Sequence, residues 1–130
     1  MDARQAVQEY LEAMPAQEWD RVAAVLADEG VVRDGPFVDV IEGKQAYVDF
    51  LRGIIAKLPD YHLDVERITP DGDGRFFVEL HEIFDSDQGH HDYPEILLFG
   101  TNPAGLIDYV SVFMKFPGMD APIEGGSAAT

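Results

Sequence analysis

RFFVELHEIFDSDQGHHDYPEILLFGT, residues 75–101, is the stretch on which the fold turns. Phe76, Val78, Leu80 and Phe84 recur at even positions, so period two marks a long strand with one apolar face. SDQGHHD, residues 86–92, reads as a hairpin turn in which Gly89 is the natural residue for a positive φ. YPEILLFGT, residues 93–101, is the returning strand. A two-residue turn at Gln88-Gly89 places Glu82 directly opposite Glu95. A type I turn with Gly89 as a bulge residue slips the pairing by one and places His81 opposite Glu95 instead. Adjacent strand residues point to opposite faces, so Glu82 or His81 joins the inner face, but not both.

Further strands flank this hairpin. YHLDVERITP (61–70) alternates, stops at Pro70 and is followed by the turn DGDG (71–74). NPAG (102–105) turns the chain into LIDYVSVFMKF (106–116). Upstream the period changes to that of a helix. Val7, Tyr10, Leu11 and Met14 mark a helix over residues 3–14, and Trp19, Val22, Ala23 and Leu26 a second over 17–27. VVR is a short strand ending at Asp34, with the turn Gly35-Pro36 after it. Ala46, Phe50, Ile54 and Leu58 form one stripe of a third helix over 43–57, and Tyr47, Leu51 and Ile55 a second stripe beside it. Helices first and strands afterwards predict an α+β fold. Its expected form is a cone: a curved antiparallel sheet wrapped around the N-terminal helices, in one domain over residues 1–116. The Pro/Gly-rich tail 117–130 is expected to be partly disordered.

The chain carries 46% hydrophobic residues, enough for a real core in 130 residues despite a net charge of −16. That charge argues against nucleic acid and anionic membranes as partners, since both select cationic surfaces. No cysteine is present, which rules out disulfides and thiolate zinc sites. MDARQAVQEYLEAM has no cationic start or apolar core of a signal peptide, and no run approaches the roughly 20 apolar residues of a membrane span. A cytoplasmic location is expected. The last strand is apolar on both parities, with Val110, Val112 and Met114 on one face and Tyr109 and Phe113 on the other. One face can line the cone, and a second copy of the chain is the simplest cover for the other.

This element order resembles the cone fold of the nuclear transport factor two-like (SnoaL-like) superfamily. That group includes ketosteroid isomerases, polyketide cyclases, limonene epoxide hydrolases and scytalone dehydratases. VQEYLEAM, AAVLADEGVVRD and the glycine of IEGKQA look most like a ketosteroid isomerase. The resemblance is good over residues 5–55 and looser through the sheet to NPAG. It implies that Tyr10, on the first helix, donates a hydrogen bond to a developing oxyanion and that Asp34, at the end of the first strand, moves the proton. Two departures stand out. The isomerases' protonated aspartate is replaced by Leu97. The last-strand aspartate of the epoxide hydrolases and cyclases is replaced by Val112.

Other acids can supply what is missing. Glu82 interrupts the apolar parity of its strand, and Glu95 shares a face with Leu97 and Phe99. Two carboxyls in an apolar pocket cannot both ionise cheaply, so one would keep its proton and act as a donor. The candidate catalytic residues are therefore Asp34, Tyr10, Glu95, Glu82 and His81. The expected pocket lining is Phe50, Ile54, Val78, Leu80, Leu97, Phe99, Val110, Val112 and Met114. His90, His91, Asp85, Asp87 and Asp92 cluster at the hairpin tip, where a solvated acidic turn is the simpler reading than a metal site. DGDG lacks the later glutamate of a calcium loop. The expected function is cofactor-independent acid–base catalysis on a small apolar carbonyl or hydroxyl compound, as an isomerase, dehydratase or cyclase, in a homodimer. The alternative is a non-catalytic module binding a small ligand or a partner in the same pocket.

Overall fold

The computed structural model describes residues 1–116. Its order is α1 (Ala3–Ala13), α2 (Trp19–Val25), β1 (Val32–Asp34), β2 (Val40–Glu42), α3 (Lys44–Ile55), β3 (His62–Pro70), β4 (Arg75–Ser86), β5 (Gly89–Thr101) and β6 (Ile107–Met114). The tail expected over 117–130 lies outside the described residues. At the start of α1, Asp2 and Gln5 satisfy each other's backbone N–H groups in a capping box. Its apolar stripe then buries Ala6, Val7, Tyr10 and Leu11, while α3 buries Tyr47, Val48, Leu51 and Ile55.

The strands form one curved, unclosed sheet in the order β2-β1-β6-β5-β4-β3. Two features correct the sequence reading. The sheet is mixed rather than wholly antiparallel, because β1 runs parallel to β6, with Val32, Arg33 and Asp34 beside Tyr109, Val110 and Ser111. The chain also has a second short strand, β2, which pairs with β1. Three residues carry too little alternation to announce a strand.

The long hairpin keeps the expected parity but not the expected register. Ser86 pairs with Gly89, so the two turn residues are Asp87 and Gln88 and Gly89 follows them at φ +118°. Cross-strand contacts favour this pairing. His90 Nδ1 lies 2.8 Å from Asp85, and the His91 ring stacks on Phe84 at 4.9 Å between centroids. Glu82 accordingly sits opposite Tyr93, and Glu95 opposite Leu80. The two carboxyls share a face but are diagonal neighbours, not direct ones. Neither proposed turn is present, and His81 does not oppose Glu95.

On the concave face Val78, Leu80, Phe99, Val110 and Val112 join Val7, Tyr10 and Tyr47 in one buried cluster. The sheet and helices are thus closed against each other at one end. At the other end they stand apart.

Candidate functional site

The gap between them is a cavity of about 580 Å³. Phe50, Leu51, Ile54 and Ile55 of α3, with Leu58 after it, form one wall. Glu82 and Phe84 of β4, Tyr93, Glu95 and Leu97 of β5, and Met114 of β6 form the other. Tyr10 and Met14 lie at its floor side, and Tyr61 precedes β3 along one edge. Gly35, Pro36, Phe37 and Asp39 supply a rim. Gly35 can do so because it lacks a side chain: at φ +95° a Cβ there would fall 2.6 Å from the Val112 carbonyl oxygen. Its N–H donates to the Asp39 carbonyl at 3.2 Å and closes the β1–β2 loop.

The carboxyls occupy different environments within this apolar space. Glu82 accepts a hydrogen bond from the Tyr61 hydroxyl at 3.1 Å. Burial raises its pKa, while Tyr61 and the charge of Arg33 pull it back. Glu95 is 7% exposed. Burial, aided by the charge of Glu82 and opposed by Arg33, pushes its pKa up to about 8. At neutral pH Glu95 therefore holds a proton it can donate. Glu82, also raised by burial but drawn back by the Tyr61 hydrogen bond, is the readier of the two to ionise.

A second polar chain enters from the helices. The hydroxyls of Tyr10 and Tyr47 are hydrogen-bonded to each other. Arg33 Nη1 donates to the Tyr47 hydroxyl at 3.5 Å, and its guanidinium lies over the rings of Tyr47 and Phe50 at 5.5 and 5.1 Å. The Tyr10 ring packs edge-on to Phe99 at 5.3 Å. Burial and the neighbouring Tyr47 hold the Tyr10 phenol well above its usual pKa, so it stays neutral.

The structure brings Tyr10, Glu82 and Glu95 to the cavity and leaves Asp34 and His81 outside it. Asp34 is on the convex face. The parallel pairing sets Arg33 beside Val110 on the concave side, and thus Asp34 beside Ser111 on the other, where it accepts from the Tyr109 hydroxyl at 3.4 Å. His81 is likewise on the convex side, 2.5 Å from Asp92 and 3.8 Å from Glu66. Phe50, Ile54, Leu97 and Met114 line the cavity as expected. Val78, Leu80, Phe99, Val110 and Val112 face the same way but are packed into the core instead. The hairpin-tip residues pair with one another: His90 with Asp85, and His91 Nε2 with Ser86 Oγ at 2.7 Å.

The sequence reading passed over Arg33, Tyr47 and Tyr61 as site residues. Val31 and Val32 are both β-branched, so alternation could not assign the parity of β1. The assignment needs the β1–β6 pairing. Tyr61 precedes its strand, where no period reaches.

A model of the family described as the SnoaL-like domain matches residues 7–107. No curated protein matches the chain. Among solved structures, an epoxide hydrolase of the limonene epoxide hydrolase-like type from Mycobacterium tuberculosis superposes with a TM-score of 0.75 at 20% identity, covering 87% of this chain and 82% of its own. RV0760c from the same organism, solved with estradiol-17beta-hemisuccinate, gives 0.72 at 22% identity over 88% and 98%. A protein of ketosteroid isomerase-like fold from Catenulispora acidiphila, solved with trimethylamine, gives 0.73 at 12% identity over 83% of each chain. At such identities the likeness is one of fold.

Proposed function

Because the chain belongs to the SnoaL-like domain family, and its cavity holds two carboxyls in unlike environments, we propose that it is a general acid–base enzyme acting on a small apolar carbonyl or hydroxyl compound. The observation that carries this reading is the Glu82–Glu95 pair. Tyr61 and Arg33 favour the charged form of Glu82, which serves as base, while Glu95 stays protonated at neutral pH and serves as acid. A substrate oxygen facing Glu95 and Tyr10 would receive their hydrogen bonds as negative charge develops on it. Arginine only donates, so the Tyr47 oxygen accepts from Arg33. The Tyr47 hydroxyl can then donate its hydrogen bond to the Tyr10 oxygen, which leaves the Tyr10 hydroxyl free to donate into the cavity. Glu82 takes a proton from the carbon beside the substrate carbonyl. Returning it to another carbon completes an isomerisation. Giving the Glu95 proton to a departing hydroxyl completes a dehydration.

This reaction class can be tested before the substrate is known. A panel of apolar ketones in D₂O, followed by NMR, is expected to show enzyme-dependent exchange of the carbon-bound proton. Glu82→Gln should slow it by about 10²–10⁴, the usual weight of one general base. Exchange no faster than in buffer across the panel would remove the catalytic reading. It would leave the second one, a ligand-binding module, which is favoured by the Tyr10 hydroxyl already having a partner in Tyr47.

The protein is further proposed to work as a homodimer through the convex face of the sheet. Ile96 and Phe113 pair across β5 and β6 there and are 40% and 59% exposed. Sedimentation at micromolar concentration is expected to show a dimer. A monomer alone would exclude this arrangement.

A further inference from the structure

Arg33 differs from the ion-pairing arginines of the chain. Arg21, Arg67 and Arg75 each meet a carboxylate, Glu9 at 2.7 Å, Glu79 at 2.6 Å and Asp71 at 3.6 Å, and all three are at the surface. Arg33 faces the cavity and has no such ion pair among the described residues, although three carboxyls, Asp39, Glu82 and Glu95, line the same space. Its orientation is fixed by other means. Nε donates to the Gly35 carbonyl at 3.2 Å, Nη1 reaches the Tyr47 hydroxyl, and the plane is held against the Tyr47 and Phe50 rings. Those contacts leave Nη2 without a hydrogen-bond partner among the described residues. Arg33 is half-buried, so Nη2 is open to the cavity, and a planar fork held beside aromatic rings suits a planar, two-oxygen anion.

We infer that Arg33 is the anchor for a carboxylate, and that the natural ligand is an apolar carboxylic acid whose body lies along Phe50 and Ile54. The inference rests on reading the cavity as the substrate site and names the class of molecule it takes. The second carboxylate oxygen distinguishes this ligand from a plain ketone or alcohol, which offers the fork one neutral acceptor. The acids already present do not forbid an anion. Glu95 faces Glu82, Arg33 and Tyr61, with Asp39 at the rim. While Glu95 keeps its proton, only Glu82 and Asp39 oppose the incoming charge. When Glu95 ionises, a third negative group does. Affinity for the acid is therefore expected to fall as pH rises through about 8.

The test uses calorimetry with three probes of one shape: naphthalene-2-carboxylate, naphthalene-2-carboxamide and 2-naphthylmethanol. At a pH near 6.5 the carboxylate should bind about tenfold or more tightly than either neutral probe, as expected for a charge-assisted bond. Arg33→Gln should abolish that preference while changing amide affinity by no more than about threefold, and Arg33→Lys should keep part of it. Should Arg33→Gln fail to fold, the wild-type and Arg33→Lys ratios decide. Glu95→Gln should remove most of the loss of affinity above pH 8. Equal binding of acid and amide, a preference that survives Arg33→Gln, or no saturation by the carboxylate at millimolar concentration would each overturn the assignment. The catalytic proposal is distinguished by Glu82→Gln, which should slow proton exchange by about 10²–10⁴ and keep or raise the preference for the carboxylate, since a charge opposing the anion is removed.

Discussion

The two halves of the concave face come from the same strands with the same alternation, yet one is core and the other is cavity. On β4, Val78 and Leu80 are fully buried, while Glu82 and Phe84, next in the same row, line open space. On β5, Phe99 meets the Tyr10 ring, while Glu95 and Tyr93 face the gap in front of α3. The difference lies in what stands opposite. At the closed end α1 fills the curve of the sheet. At the open end α3 stands off across about 580 Å³. Inward orientation is a property of the strand, but filling is a property of the partner layer. An ionisable residue is costly in the first half and useful in the second.

The sharpest way to break this comparison is to shorten one aromatic in each half. Phe99→Ala should cost about 3–5 kcal/mol, because a fully packed ring leaves a cavity that its neighbours cannot refill. Phe84→Ala removes a ring that stacks on His91 and Tyr61 but already borders empty space, and should cost only about 1–2 kcal/mol. Urea unfolding of both variants measures the contrast. Equal losses would mean that the open half is as well supported as the core.

The same contrast sets what could be read in the sequence. Inward parity of β4 was legible because Phe76, Val78, Leu80 and Phe84 recur at even positions. By contrast, β5 and β6 are apolar on both parities, and the inward sets there, Leu97 and Phe99, and Val110 and Val112, rested on the family resemblance. Glu82 and Glu95 stood out as acids on that parity. Which inward residues would be covered was not legible, since the reach of α1 over the sheet is a tertiary property. The exact turn was not legible either: Gly89 fits a positive φ within the turn or just after it, and the choice fell to Asp85–His90 and Phe84–His91 pairing. The parity error at Arg33 and Asp34 had the largest effect on function, since it exchanged a cavity-facing cation for an acid on the convex face.

A pH experiment sharpens the comparison from the open side. The raised pKa of Glu95 means that, between its ordinary value of 4.5 and about 8, the folded chain keeps a proton that the unfolded chain has released. Stability is then highest below this window and falls as pH rises through it. Glu95→Gln keeps the shape without the charge. It should match the wild type near pH 4 and exceed it by on the order of 2 kcal/mol near pH 9, where the wild type must bury an ionised carboxylate beside Glu82. Thermal melts across pH follow this directly. A variant no more stable than the wild type in alkali would show that water or Arg33 fully compensates the Glu95 charge.

The smallest expected effect is the most diagnostic for the site. Asp34 and Arg33 are adjacent, and a ketosteroid isomerase-like mechanism gives the proton transfer to Asp34. In the sheet, however, β1 follows β6: Arg33 shares the side of Val110 and Asp34 the side of Ser111. The Asp34 carboxylate meets the Tyr109 hydroxyl at 3.4 Å, a long hydrogen bond on a partly exposed face. Asn keeps an oxygen that can accept from the same hydroxyl, so Asp34→Asn should change stability by less than about 0.5 kcal/mol. Proton exchange on the ketone panel should stay within about twofold of the wild type, far from the 10²–10⁴ that loss of a general base brings. A fall of that larger size would mean that β1 turns over to present Asp34 to the substrate. The acid–base pair would then have to be sought at the β1 end of the cavity rather than on β4 and β5.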